Sequence, residues 1–128
     1  MFKAHQIMSR DPITISPETR VLDAMRMLVE EKITGLPVVE PDGRVAGVLS
    51  EKDLLRLAYD ATTDGTVATF MTRNPVCFQQ DDDVVEIAEC LIENPFRRVL
   101  ILDGDRLVGV VSRRDVIRFI LKFRGAEA

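Results

Sequence analysis

The feature that most constrains the fold of this chain is a heptapeptide that occurs twice. Residues 47–53 read Gly-Val-Leu-Ser-Glu-Lys-Asp, and residues 109–115 read Gly-Val-Val-Ser-Arg-Arg-Asp. In each copy a short apolar run ends at a serine, and an aspartate follows three residues later, just before a second apolar segment. This pattern predicts a strand that runs directly into the N-terminus of a helix. The free N–H groups of such an N-terminus favour an anion such as phosphate, and the carboxylate can accept hydrogen bonds from neighbouring hydroxyls.

The same Ser-x-x-Asp pattern also has a purely structural interpretation. It resembles a capping box in which aspartate replaces the usual glutamate or glutamine. Such a cap would contribute ~1 kcal/mol to helix stability and nothing to ligand binding. Both interpretations stay open on the residues alone, because a repeated fold also repeats its caps.

The two heptapeptides belong to a duplication that covers most of the chain. Residues 7–13 (Ile-Met-Ser-Arg-Asp-Pro-Ile) match residues 70–76 (Phe-Met-Thr-Arg-Asn-Pro-Val). Within each copy, apolar runs, helical periodicity and an Asp-Gly turn give the order β-α-β-β-α. We therefore predict an α/β (α+β-like) protein with two β-α-β-β-α repeats related by a pseudo-twofold axis. Residues 1–60 should form the first repeat, 61–66 a linker and 67–128 the second repeat, in one compact paired module.

Composition and charge exclude several classes of function. The 128 residues are 46% apolar and 30% charged, which is typical of a globular domain with a real core. The net charge of −4 argues against nucleic-acid binding. No apolar run approaches the ~20 residues of a membrane span, and the N-terminus lacks the apolar stretch of a signal peptide. We therefore expect a cytoplasmic protein with no membrane partner.

The residue types also argue against catalysis. Cys77 and Cys90 fall in apolar patterns that predict free, buried thiols, and His5 is the only histidine. No Cys/His cluster has metal-ligand spacing, and no nucleophile–base pair, glycine-rich phosphate loop or pair of carboxylates on one element is visible. We expect no enzyme activity, no metal and no cofactor.

The predicted helices are more apolar than packing on one side requires. In residues 21–29 the apolar positions fill an arc of about 220°, and residues 84–92 repeat the pattern. An ordinary core-facing helix needs a stripe only a little over ~100° wide. The excess predicts that each helix also packs on a second surface, in the other half or in another subunit.

Two copies of this order, each ending in Gly, two apolar residues and Ser-x-x-Asp, resemble a CBS (cystathionine β-synthase) domain pair, or Bateman module. The resemblance extends from about Ile7 to Arg118 and includes residues 8–12, 71–75 and 33–39. It implies a regulatory, ligand-sensing module that binds adenine nucleotides or adenosyl compounds (AMP, ADP, ATP or S-adenosylmethionine) in the cleft between the repeats. It also implies a homodimer formed through the helices, and a regulated protein in trans.

The resemblance assigns roles to individual residues. Asp53 and Asp115 would hold ribose hydroxyls, and Ser50 and Ser112 would face phosphates. The other residues that it places at the ligand are Thr14, Thr34, Gly47, Cys77, Arg97, Arg98, Arg113 and Arg114. The four arginines belong to the second repeat only, which predicts one site that prefers polyphosphates and one that prefers AMP or an adenosyl compound.

Three other functions stay open on the residues. The first is a structural homodimerisation module, in which both Ser-x-x-Asp motifs are caps and no nucleotide is bound. The second is anion or nucleic-acid binding by the arginines of the second repeat, which the negative net charge disfavours. An enzyme is the least favoured.

Overall fold

The computed structural model describes residues 2–59 and 64–125. Residues 60–63, which include part of the predicted linker, lie outside the described residues, as do Met1 and residues 126–128. The elements in chain order are α1 (Ala4–Ile7), β1 (Ser9–Arg10), α2 (Val21–Glu30), β2 (Gly35–Val39), β3 (Val45–Ser50), α3 (Glu51–Leu54), α4 (Val67–Phe70), β4 (Cys77–Gln79), α5 (Val84–Glu93), β5 (Arg98–Asp103), β6 (Arg106–Ser112) and α6 (Arg113–Arg124). The predicted mixed α/β class is confirmed.

The chain divides into two compact units that cut across the repeats. The central unit is Ile13–Pro75, and the split unit combines Met1–Pro12 with Val76–Ala128. The opening segment of the first repeat, with α1 and β1, therefore packs with the second repeat. The opening segment of the second repeat, with α4, packs with the first.

In the central unit α2 packs against a hairpin formed by β2 and β3. The hairpin turns at Asp42 and Gly43, where Gly43 has a φ of 91° that glycine adopts without strain. The first strand of the predicted β-α-β-β-α order is reduced in this unit to one parallel bridge between Ile15 and Val38. The core consists of buried residues from these elements, α3 and α4: Ile15, Val21, Ala24, Leu28, Leu36, Val38, Leu49, Leu54 and Val67.

The split unit is built on a four-stranded sheet with the order β1-β6-β5-β4. β4 is parallel to β5, and the other two pairings are antiparallel. Its core consists of buried residues from α1, the residue that follows it, α5 and the sheet: Ala4, Met8, Ile87, Leu91, Val99, Ile101 and Val111. No helix in the described parts of the chain is long and apolar enough to cross a membrane.

The helices that follow the two Ser-x-x-Asp motifs differ in length. α6 has 12 residues, with Lys122 and Arg124 in its last turn, where positive charge is favourable. α3 has only 4 residues and continues as a short 3₁₀-helix, Leu55–Ala58. The sequence after Ala58 is rich in Asp, Thr and Gly, which are weak helix formers. The final helix predicted for the first repeat is therefore present but short within the described residues.

Candidate functional site

The junction between β6 and α6 holds Asp115 in a capping box with Ser112. Ser112 Oγ accepts a hydrogen bond from the Asp115 backbone N–H at 3.1 Å. Asp115 Oδ2 accepts hydrogen bonds from the Ser112 backbone N–H at 2.9 Å and from Ser112 Oγ at 3.0 Å. The capping box suggested by the motif therefore forms at this junction.

The other carboxylate oxygen of Asp115, Oδ1, contacts side chains from outside the Ser-x-x-Asp motif. Ser9 Oγ donates to Asp115 Oδ1 at 3.2 Å, and Arg118 Nη1 lies 3.4 Å from the same atom. The Asp115 side chain is only 7% exposed, whereas the Arg118 side chain is 69% exposed. A buried carboxylate needs such partners. Arg118 is the partner that can leave Asp115 most easily, because it lies largely in water.

The junction between β3 and α3 repeats this hydrogen-bond pattern in the central unit. Asp53 Oδ2 accepts hydrogen bonds from the Ser50 backbone N–H at 2.9 Å and from Ser50 Oγ at 3.0 Å. Thr72 Oγ1 donates to Asp53 Oδ1 at 3.0 Å. Asp53 is half-buried, so its carboxylate is more open to solvent than that of Asp115. Each unit thus carries one Ser-Asp pair with an added hydroxyl.

A cleft of about 420 Å³ opens beside Asp115 within the split unit. Sites for small molecules have volumes of roughly 300–1,000 Å³. Ser9 and Asp115 supply polar groups to the cleft, and Arg118 and Lys122 supply positive charge. The remaining lining residues are Phe2, Gln6, Ile7, Met8, Phe119 and Phe123. The cleft can accept a ligand that combines hydroxyls, a flat apolar ring and negative charge.

Three phenylalanines form an aromatic cluster along this cleft. The ring centroid of Phe2 lies 4.8 Å from that of Phe119 and 4.5 Å from that of Phe123. The centroids of Phe119 and Phe123 are 5.0 Å apart. Contacts of this kind contribute ~0.5–1.5 kcal/mol per pair beyond area burial, so the cluster holds α1 against α6. Phe2 and Phe123 remain 36% and 42% exposed, which leaves apolar ring surface open to a ligand.

The arginines predicted to bind phosphate lie on and before β5 and at the start of α6. The Arg113 backbone N–H donates to the Arg97 carbonyl at 2.9 Å, which brings Arg97 beside the junction. The Arg113 side chain donates from Nη2 to the Asn94 carbonyl at 3.1 Å. Arg97 and Arg114 are exposed, and Arg98 is half-buried. Positive charge therefore surrounds the N-terminus of α6, although the Arg113 side chain is engaged at the end of α5.

The other predicted contacts are spread over both units. Thr34 is exposed beside the first junction, where its carbonyl accepts from the Glu51 N–H at 3.0 Å, and Thr14 is half-buried. Cys77 lies on β4, and burial raises the pKa of its thiol, so the thiol stays neutral near pH 7. Cys77 and Cys90 form no disulfide, as predicted, but they are half-buried rather than buried. Among the residues that the structure describes, no group of three or more His, Cys, Asp or Glu could hold a metal ion.

The structure gives Gly47 a packing role. A Cβ built on Gly47 would lie 2.6 Å from the Thr72 carbonyl oxygen. At the equivalent position, a Cβ on Gly109 would lie 2.6 Å from Met8 Sδ and 2.8 Å from the Ser9 carbonyl oxygen. The glycine of the motif is therefore required because the Met-Ser or Met-Thr segment lies directly against the strand.

Several residues of this site were missed by the sequence analysis. Ser9 and Thr72 occupy equivalent positions of the duplicated segment, so a signal for their hydroxyls was present in the sequence. The aromatic cluster gave no such signal: Phe119, for example, has Leu57 as its counterpart. Only the packing of α1 on α6 brings Phe2 to the cleft.

A sequence profile of the CBS domain matches residues 4–60 and again residues 67–122. This chain belongs to the CBS domain family. It contains two copies of the domain, which confirms the duplication and the resemblance found in the sequence.

This CBS pair matches a part of two longer curated relatives. Inosine-5′-monophosphate dehydrogenase of Methanocaldococcus jannaschii is 31% identical over 117 residues, which cover 91% of this chain and 23% of that protein. The chloroplastic CBS domain-containing protein CBSX2 of Arabidopsis thaliana is 31% identical over 140 residues, which cover 86% of this chain and 59% of that protein. The CBS pair spans less than two thirds of the length of either relative.

Solved structures confirm the fold of a CBS domain pair. CBSX2 in complex with AMP superposes with a TM-score of 0.88 at 29% identity, covering 97% of this chain and 99% of that chain. The CBS domain pair of protein MJ0100, in complex with 5′-methylthioadenosine and S-adenosylmethionine, superposes with a TM-score of 0.79 at 25% identity. That match covers 93% of this chain and 99% of that chain.

Proposed function

We propose that this CBS pair is a regulatory, ligand-sensing module that binds adenine nucleotides or adenosyl compounds and has no catalytic activity of its own. The observation that carries the proposal is the Asp115 carboxylate, which is 7% exposed and lines a cleft of about 420 Å³. The ligand class is supported by the AMP complex of CBSX2 and by the MJ0100 complex. All three compounds in those complexes carry an adenosyl group with a 2′,3′-ribose diol.

The groups beside Asp115 suit the three parts of such a ligand. The Asp115 carboxylate and the Ser9 hydroxyl can accept hydrogen bonds from the ribose. The exposed rings of the aromatic cluster offer a surface for a flat base. The N-terminus of the 12-residue α6 and the exposed Arg118 favour a phosphate.

The two junctions differ in charge, which supports the predicted difference in phosphate preference. Arg113 and Arg114 begin α6, whereas Glu51 and Lys52 begin α3. The α3 helix is also only one turn long, so its dipole is weaker. We therefore expect a polyphosphate to bind more favourably at the junction of the split unit than at the junction of the central unit.

Thermal unfolding in the presence of ligands tests the proposed function. A ligand present at 100 times its dissociation constant stabilises the folded state by ~2.7 kcal/mol if it binds that state alone. For a chain of this size the midpoint should rise by roughly 10 °C. The panel is AMP, ADP, ATP, S-adenosylmethionine and 5′-methylthioadenosine, with a short oligonucleotide as a control for nucleic-acid binding. No shift with any adenosyl compound at millimolar concentration would contradict the proposal.

A structural dimerisation module is the second candidate, and one observation favours it. Within the described residues, no buried side-chain nitrogen or oxygen lacks a hydrogen-bond partner. Both aspartates can therefore be satisfied as caps without any ligand. An unchanged midpoint across the whole panel, together with self-association, would favour this function.

We also propose that the CBS pair forms a homodimer through its helices. Ile92 on α5 is 82% exposed, and Ile117 and Leu121 on α6 are 63% and 68% exposed. In the central unit, Val29 on α2 is 78% exposed and Leu55 is 67% exposed. Ile117 and Leu121 lie one turn apart on α6, and adjacent apolar side chains at such exposure are typical of a surface that binds another protein. Of these positions, Val29 and Ile92 lie in the two helices for which the excess apolar arc was predicted.

Replacing Ile92 and Ile117 together with glutamate is expected to shift the protein from dimer to monomer at micromolar concentration. Burying two unpaired carboxylates in an apolar interface costs several kcal/mol. Sedimentation velocity measures the change. Thr69→Glu adds one negative charge, half the change in the double variant, at an exposed position of α4, and it is expected to leave the dimer intact. A wild-type chain that sediments only as a monomer at high concentration would contradict the homodimer.

A further inference from the structure

Each candidate ribose-binding aspartate accepts a hydrogen bond from a hydroxyl that lies outside its own Ser-x-x-Asp motif. Ser9 Oγ donates to Asp115 Oδ1 at 3.2 Å, with Oδ2 at 3.4 Å. Thr72 Oγ1 donates to Asp53 Oδ1 at 3.0 Å. Ser9 and Thr72 both follow the methionine of the duplicated Met-Ser/Thr segment. The same arrangement therefore occurs in both the central unit and the split unit.

Backbone pairing fixes where these hydroxyls lie. Ser9 pairs with Val110 in the β1–β6 ladder. In the central unit, the Thr72 N–H donates to the Val48 carbonyl at 2.8 Å, and the Val48 N–H donates to the Thr72 carbonyl at 3.0 Å. The glycine before each of these valines allows the approach, because a Cβ there would meet the backbone of Thr72 or Ser9 at under 3.0 Å. The hydroxyls are thus held by the strands and do not depend on flexible loops.

Capping alone does not require these two hydrogen bonds. The caps use the backbone N–H and hydroxyl of Ser112 on Asp115 Oδ2, and those of Ser50 on Asp53 Oδ2. An ionised carboxylate has about four acceptor positions, two on each oxygen. Oδ1 is therefore the atom that a ligand can reach, and the added hydroxyl is the group that fixes its direction. At Asp115, Oδ1 also lies 3.4 Å from Nη1 of the exposed Arg118, which the ligand would displace.

We propose that Ser9 and Thr72 are positioning residues that orient Oδ1 of Asp115 and Asp53 toward the ribose diol of the ligand. The hydroxyl oxygen that donates to Oδ1 keeps its own lone pairs. Oδ1 and the hydroxyl oxygen thus form two adjacent acceptors, which match the two adjacent hydroxyls of a ribose. This inference rests on the proposed adenosyl-binding function and adds residues that set the preference for an intact diol.

The test compares AMP with 2′,3′-dideoxy-AMP by isothermal titration. Ser9→Ala and Thr72→Val are each expected to weaken AMP binding at the affected site by about 3- to 10-fold, because a carboxylate that has lost one hydrogen bond is less well oriented. The affinity for the dideoxy compound is expected to stay within about two-fold of the wild type. The ratio of the two affinities, which reports recognition of the diol, should therefore fall.

The repeat itself supplies matched controls. Ser9→Thr and Thr72→Ser exchange the residues found at equivalent positions and keep both hydroxyls, so each should restore the wild-type ratio. Thr69→Val removes a hydroxyl from the neighbouring helix α4, where the residue is exposed, and should leave the ratio unchanged. Urea unfolding without ligand reports any loss of stability separately.

The outcomes separate this inference from the proposed function. If the wild-type protein binds no adenosyl compound, the proposed function is wrong and the positioning role falls with it. If the wild type binds AMP, and Ser9→Ala and Thr72→Val keep both its affinity and its preference for the diol, only the positioning role is overturned. Tighter AMP binding by the two variants would also overturn it, because the hydroxyls would then compete with the ribose.

Discussion

Replacing Asp115 with asparagine is expected to weaken AMP binding by about 10- to 150-fold, or ~1.5–3 kcal/mol, because a charged acceptor for the ribose hydroxyls is lost. The free energy of unfolding is expected to fall by only ~0.5–1 kcal/mol. Asparagine can still accept the hydrogen bond from the Ser112 N–H, and Ser112 remains the N-cap of α6. Isothermal titration measures the first effect, and urea unfolding without ligand measures the second. A large effect on binding with a small effect on stability distinguishes a ligand contact from a cap.

Asp103→Asn is the matched control for this prediction. Asp103 is exposed at the end of β5, so its replacement removes the same charge from the same unit. It is expected to change AMP affinity by no more than about two-fold, as for exposed charges in general. Asp53→Asn tests the first junction in the same way. If both Asp115→Asn and Asp53→Asn bind AMP like the wild type, neither aspartate holds the ribose.

Replacing Gly109 with alanine is expected to lower the free energy of unfolding by ~1–3 kcal/mol. The added Cβ would lie 2.8 Å from the Ser9 carbonyl oxygen and 2.6 Å from Met8 Sδ. Met8 can change rotamer, but the Ser9 backbone cannot move without loosening the β1–β6 ladder. Gly47→Ala should have a similar effect, because its Cβ would lie 2.6 Å from the Thr72 carbonyl oxygen. Urea unfolding measures both changes.

Gly35→Ala provides the comparison for these two glycines. The nearest atom to a Cβ on Gly35 is the Leu49 carbonyl oxygen at 3.2 Å, which a small shift can relieve. Its effect on unfolding should therefore be smaller. Gly109→Ala and Gly47→Ala variants as stable as Gly35→Ala would show that the Met-Ser and Met-Thr segments do not lie tightly against their strands.

The sequence predicts the kind of each element better than the partner against which the element packs. The β-α-β-β-α order of the second repeat follows from apolar periodicity and the Asp-Gly turn, and it is observed from β4 to α6. Nothing in that periodicity indicates that α1 and β1 pack with the second repeat. Packing partners depend on backbone pairing at Ser9 and on space above Gly109, which are tertiary features.

Helix length after the two motifs was equally hard to predict. The start of α3 and the start of α6 carry the same Ser-x-x-Asp signal, and both caps form. The difference arises at the other end, where weak helix formers follow Ala58 but Lys122 and Arg124 support the last turn of α6. A start signal thus fixes where a helix begins and says little about where it ends.

The residues of the candidate site also fall into two groups, those that the sequence could predict and those that it could not. Ser112 and Asp115 could be predicted because a repeated local motif specifies them and local hydrogen bonds hold them. The Ser9 hydroxyl lies 106 residues from Asp115 in sequence and reaches it only through the sheet. Lys122 and Phe123 line the cleft because α6 continues for 12 residues, a length that the motif does not encode.

A crystal structure of the protein grown with AMP tests the central claim most directly. We predict that the 2′- and 3′-oxygens of the ribose lie within about 2.5–3.2 Å of a carboxylate oxygen of Asp115 or Asp53. The Ser9 or Thr72 hydroxyl should lie at hydrogen-bond distance from the same carboxylate. AMP bound with its ribose away from both aspartates, or no AMP in crystals grown at millimolar nucleotide, would contradict the claim.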